Sequence, residues 1–107
     1  PAAAGDSKIV AILQYLNLHL TEPITIDELA GRFYLSKYHM MRRFRQETGY
    51  TIHHYLMEKR LMLAQQLLRT GAPLAQVCFD VGYQDYSTFS RAYKNHFGRA
   101  PSADTQR

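Results

Sequence analysis

Apolar residues recur along this chain at intervals of three and four, and no stretch alternates with the two-residue period of a strand. Ile9, Leu13, Leu16 and Leu20 predict an amphipathic helix over roughly 7–20, which Pro23 stops. Thr25 and Glu28 stand at capping-box spacing, so a short second helix is expected over about 26–33. Its inward residues are Ile26, Leu29, Ala30 and Phe33. After a turn at Tyr34-Leu35, Ser36 caps a third helix that ends at Gly49. Thr51 caps the longest helix, about 52–70, whose main stripe is Ile52, Leu56, Leu63 and Leu67, widened by Tyr55, Leu61, Ala64 and Leu68. Gly71 ends it, and Pro73 opens a helix lined by Leu74, Val77, Cys78 and Val81. Asp85 caps a sixth helix that ends at Gly98. Pro101 begins a short tail with Ala103 as its only apolar residue, an end expected to fray.

Two of these helices repeat one another. Arg42, Phe44 and Arg45 recur as Arg91, Tyr93 and Lys94 at a constant offset of 49 (91−42, 93−44, 94−45). Each copy starts at a capping residue, ends at glycine and follows another short helix, so 26–48 and 74–97 both have the helix-turn-helix form. A single such pattern is weak, and two in register are much stronger. The second copy holds one more turn residue: Ala30 to Ser36 is six steps (36−30), Cys78 to Asp85 seven (85−78). The fold class expected is all-α: two helix-turn-helix subdomains joined by a long central helix, six to seven helices in all. Residues 1–6 read as a linker or cloning remnant, 7–50 as the first subdomain, 51–70 as the central helix, 71–102 as the second subdomain and 103–107 as a tail.

In the first copy Met40 and Phe44 face inward, and the opposite face carries Lys37, Tyr38, Met41, Arg42 and Arg45. In the second, Phe89 and Tyr93 face inward and Tyr86, Ser87, Ser90, Arg91 and Lys94 outward. A helix entering a DNA major groove end-on presents its first turns to the base edges. Arginine there binds guanine O6 and N7 with two hydrogen bonds. Tyr, Met and Ser reach thymine methyls or phosphates, and Arg45 and Lys94, one turn later, reach phosphates. A central helix of about 19 residues spans roughly 28 Å, against about 34 Å between successive major grooves on one side of B-DNA. One polypeptide can thus read two neighbouring stretches of a site that need not be palindromic.

Charge and composition narrow the alternatives. The chain has 107 residues and a net charge of +4, which suits an anionic partner. Lys37, Arg42, Arg43 and Arg45 crowd into nine positions. Cys78 is the only cysteine, so no intrachain disulfide exists; it reads as a small buried hydrophobe in a reducing, cytoplasmic setting. No apolar run approaches the roughly 18 residues of a membrane span. His53 and His54 point to different sides of one helix and His19, His39 and His96 are scattered, so no metal site is expected; His39 is placed beside a phosphate. Asp27 and Glu28 read as helix-start residues, not a catalytic pair. No nucleophile pair or phosphate loop is present, and neither enzymatic activity nor a cofactor is expected. Tyr55, Tyr83 and Tyr93 read as core, Tyr38 and Tyr86 as outward. The rival reading is a small helical protein-interaction module whose basic faces meet solvent or an acidic protein. Steeply salt-dependent binding of double-stranded DNA separates the two.

Over roughly residues 8–102 the chain resembles the DNA-binding domain of the AraC/XylS family of bacterial transcription regulators. Arg60-Leu61, Ala64 and Leu67-Leu68 resemble its middle-helix pattern. Val77-Cys78, Val81-Gly82-Tyr83, Asp85, Ser87, Phe89, Arg91, Tyr93-Lys94, Gly98 and Pro101 match a second, highly specific one. The resemblance implies double-stranded DNA as ligand, with reading positions at Tyr38, Met41 and Arg42 and at Tyr86, Ser87, Ser90 and Arg91. It also implies RNA polymerase as a partner, and in many members a further effector or dimerisation domain. Three departures stand out. Tyr34 occupies a turn position where the family commonly has glycine, and a positive φ there strains it. Cys78 stands where alanine is common. Ala103-Asp104 replaces an aromatic-basic pair.

Overall fold

The computed structural model describes residues 3–105, with side chains from Lys8 onward. The described chain consists of α1 (Ala3–Leu18), α2 (Ile26–Arg32), α3 (Lys37–Thr48), α4 (Ile52–Arg69), α5 (Leu74–Asp80), α6 (Tyr86–Phe97) and a 3-10 turn (Pro101–Asp104), with no strand among the described residues. It divides into two compact units. One takes the chain up to His19 together with Pro23–Leu56; the other takes Leu20–Glu22 and everything from Met57 on.

In the first unit α3 packs on α1 and α2. Ile9, Ile12, Leu16, Leu29, Ala30, Met40, Phe44, Ile52 and Leu56 are buried, and removal of each large apolar side chain from water stabilises by about 1.5–3 kcal/mol. The Tyr15 ring meets Phe33 edge-on at 6.0 Å, and Phe44 meets Tyr55 likewise at 5.9 Å. Tyr55 is half-buried, and its hydroxyl donates to Asn17 Oδ1 at 2.9 Å, so the core ring keeps a polar edge.

The second unit has its own core. Leu61, Ala64 and Leu68 of α4 meet Val77, Cys78, Val81, Tyr83, Phe89 and Tyr93. Tyr83, Phe89, Tyr93 and Phe97 form a run of rings spaced 5.3, 5.7 and 4.5 Å. Arg60 points out of the apolar stripe of α4. Its guanidinium donates to the carbonyls of Leu20 (2.8 Å) and Glu22 (2.9 Å), holding that stretch in the second unit.

Several expectations need correcting. Helix α1 begins at Ala3 and ends at Leu18, so residues 3–6 are helical, not linker; the alanines there are the strongest helix formers. Its buried positions are Ile9, Ile12 and Leu16, with Leu13 half-buried; Leu20 lies beyond the helix, where Arg60 takes its carbonyl. On α4 the emphasis is inverted: Leu61, Ala64 and Leu68 are buried, while Leu63 and Leu67 are half-buried against the same core. The central helix is not a separate segment either, since the two units divide it between Leu56 and Met57. The tail does not fray through Asp104. Pro101 is buried, and the Asp104 side chain is only 7% exposed.

A candidate nucleic-acid interface

Both α3 and α6 start the same way. Ser36 Oγ accepts the His39 backbone amide at 3.2 Å, and Asp85 Oδ1 accepts that of Thr88 at 2.8 Å. The Asp85 carboxyl also takes the Thr88 hydroxyl at 2.9 Å. These two bonds, aided by the Arg91 charge, outweigh slight desolvation and hold that carboxyl below its usual range. Both helices end at a glycine in the left-handed region, Gly49 (φ 83) and Gly98 (φ 75). Each is anchored by its inward pair, Met40 with Phe44 and Phe89 with Tyr93, all fully buried. A helix fixed at cap, core and exit leaves one face to solvent.

The turns reveal where the two copies differ. In the first, the Tyr34 and Leu35 amides donate to the carbonyls of Gly31 and Ala30. In the second, those of Gly82 and Tyr83 donate to Phe79 and Cys78. Tyr34 and Gly82 are therefore equivalent, at offset 48 (82−34), and both have positive φ, 56 and 107. Offset 49 resumes at Ser36 and Asp85 (85−36), so the inserted residue is Gln84. Tyr34 is the strained case expected from its position: its ring is 90% exposed and finds no packing in return.

The outward faces carry the residues singled out. Lys37, Tyr38, Arg42 and Arg45 on α3, and Tyr86, Ser87, Arg91 and Lys94 on α6, are exposed; Met41 and Ser90 are half-buried at the edge. Tyr38 and Tyr86 are 70% and 41% exposed, as their outward placement requires. Arg42, Arg45 and Lys94 have no ion-pair partner among the described residues, so their charge is available. Lys37 instead lies 3.5 Å from Asp27 and near the Tyr38 ring, so part of its charge is answered within the unit. Arg43 turns away and pairs with Glu47, one helical turn on. His39 is exposed beside this face. No cluster of His, Cys, Asp or Glu able to hold a metal occurs among the described residues, and no helix is long and apolar enough to cross a membrane.

Sequence reasoning missed the Asp104 cluster. Asp104 accepts from Tyr93, Gln65 and Arg99, and Arg69 lies 3.7 Å away. Its partners lie up to 39 residues apart in sequence, and the one local hint was an acid where the family pattern has an aromatic residue.

Known proteins carry this arrangement. A helix-turn-helix domain model matches residues 29–107. The regulatory protein SoxS of Salmonella typhimurium is 35% identical over 95 residues, which cover 88% of this chain and 89% of that protein. An AraC-type transcriptional regulator from Chromobacterium violaceum superposes with a TM-score of 0.84 at 28% identity, covering 95% of this chain and 92% of that one. The DNA-binding domain of the transcriptional factor AdpA, solved in complex with a target DNA, superposes at 0.83 with 27% identity, over 89% and 86% of the two chains. With duplicated capped helices, matching turns and these relatives together, the chain belongs to the AraC/XylS family of bacterial transcription regulators and comprises its DNA-binding domain.

Proposed function

We propose that α3 and α6 are reading helices that enter successive major grooves of one double-stranded DNA site. The observation that carries this reading is the matched pair of outward faces, equivalent residue by residue at offset 49, on helices fixed by equivalent caps and cores. Tyr38, Met41 and Arg42, and Tyr86, Ser87, Ser90 and Arg91, meet base edges. Lys37, Arg45 and Lys94 meet phosphates and give affinity without sequence preference. The chain acts without enzymatic chemistry or cofactor, in the cytoplasm. RNA polymerase is the further partner, and effector sensing or dimerisation belongs to a domain outside this chain.

The test is selection of bound sequences from a random duplex library, repeated with Arg42→Ala and Arg91→Ala. Each variant is expected to relax base preference in one half of the site only, at about 1–3 kcal/mol. Equal weakening on every sequence would assign both arginines to phosphate and refute the base-reading roles. Sedimentation of the complex is expected to give one chain per asymmetric site of about two DNA turns; two chains as the minimal unit would rule this out.

A further inference from the structure

We infer that Asp104 is a positioning residue for α6, setting the azimuth of its outward face through Tyr93. The inference rests on the groove reading above. Tyr93 is fully buried on the inward side of α6, two residues after Arg91 and one before Lys94. Its hydroxyl donates to Asp104 Oδ2. Gln65 of α4 donates to the same oxygen at 3.4 Å, and Arg99 Nε lies 3.1 and 3.2 Å from the two carboxylate oxygens. Arg69, one turn along α4 from Gln65, adds its charge at 3.7 Å. The carboxylate therefore joins α4, α6 and the chain beyond Gly98 in one nearly buried cluster. Hydrogen bonds to a charged group are directional and stronger than neutral ones. A ring held only by apolar packing has no such directional bond to fix its rotation about the helix axis.

The first unit supplies the internal control. Phe44 stands where Tyr93 stands (93−44 = 49) and has no hydroxyl to donate. Loss of the carboxylate should thus affect reading by α6 and leave reading by α3 alone. A purely structural role would lower both together, because unfolding removes both.

Asp104→Asn keeps the shape and removes the charge; Tyr93→Phe keeps the ring and removes the donor. Both are measured by competition binding on the wild-type selected duplex and on duplexes with single base changes in each half, with circular dichroism confirming the fold. Expected is a loss of discrimination of about three- to tenfold in the α6 half, a fraction of a good base contact, with the α3 half unchanged. The double variant should lose no more than either single one, since both break the same link. Equal loss in both halves, or unaltered α6-half discrimination in folded Tyr93→Phe, overturns the inference. Should Asp104→Asn not fold, Tyr93→Phe decides alone. A wild-type chain without sequence preference sinks the groove reading itself, a result distinct from both.

Discussion

The equivalent turn positions Tyr34 and Gly82 should respond to substitution with opposite signs. At Gly82 the backbone has φ 107, and a Cβ placed there falls 2.9 Å from Arg60 Nε and 3.2 Å from the Thr21 carbonyl oxygen. Gly82→Ala forces an L-residue into the left-handed region, at about 1–2 kcal/mol. It recovers about 0.4–1 kcal/mol from a less flexible unfolded chain. The contact with Arg60 then decides. That guanidinium is held by the Leu20 and Glu22 carbonyls, and displacing it forfeits charge-assisted bonds of about 1.5–3 kcal/mol each. The net expectation is a loss of about 2–4 kcal/mol, or roughly 10–20 °C in melting temperature for a domain of this size. Tyr34→Gly relieves similar strain, gives back the unfolded-state entropy and loses no packing, because the ring is 90% exposed. It should be neutral to stabilising by up to about 1 kcal/mol. Urea unfolding of both variants beside the parent chain reads these differences directly. If Gly82→Ala unfolds at the parental midpoint, the close approach to Arg60 is not a constraint and the argument fails; a clear loss from Tyr34→Gly would show that the ring packs after all.

Leu68→Ala removes three carbons from a fully buried site, about 2.4 kcal/mol of transfer energy plus a cavity term, or about 2.7–5 kcal/mol in all. Leu67→Ala, at a half-buried site, should lose about half the transfer energy alone, and equal losses in thermal melts would refute the assignment of the stripe. Stability should fall at both ends of the pH range. Burial raises the Asp104 carboxyl, but its bonds to Tyr93, Arg99 and Gln65 and the Arg99 charge bring it below the usual range, as the Thr88 bonds do for Asp85. Carboxyls depressed by folding stabilise above the unfolded carboxylate range, and that support disappears as pH falls through their folded values. Burial pushes Tyr83 up from 10.0 to about 12, against the opposing Arg60 charge, so its contribution is complete below about pH 10 and disappears as pH rises toward about 12. Urea midpoints from pH 2 to 12 test both limbs: Asp85→Asn should flatten the acid one and Tyr83→Phe the alkaline one, and unchanged limbs would refute these assignments.

What was legible in the sequence was what is local. Thr25, Ser36, Thr51 and Asp85 all accept the backbone amide three residues on, as their spacing implied. Glycine exits and inward pairs followed equally from a few neighbouring positions. The stripe of α4 was harder. Leu61, Leu63, Ala64, Leu67 and Leu68 make a face so broad that periodicity cannot say which edge is deepest; the partners on α5 and α6 decide. Asp104 was illegible for a related reason. Nothing within five residues marks it as buried except Arg99, and its remaining partners come from α4 and α6. On the outward faces, Lys37 shows a further limit: its charge was read from the helix alone, whereas Asp27 on α2 answers part of it.

The two copies diverge in unequal ways across their parts. Their anchors are conservative, Met40 and Phe44 against Phe89 and Tyr93, because each must fill a core at fixed volume. Turn and exit differ more: Tyr34 against Gly82, the inserted Gln84, and the Asp104 cluster beyond α6 alone. The insertion precedes the cap, so it alters the path into α6 without shifting its reading face relative to its own core pair. On that face, Arg42 and Arg91 are identical and Arg45 and Lys94 keep their charge. Lys37 against Tyr86, Tyr38 against Ser87 and Met41 against Ser90 do not match. Under the groove reading, the half-sites share the position opposite the arginines, where guanine is the favoured base. They diverge wherever an aromatic or thioether on one helix faces a hydroxyl on the other. The site selected by this chain should accordingly be a direct but imperfect repeat, alike at one base and different around it.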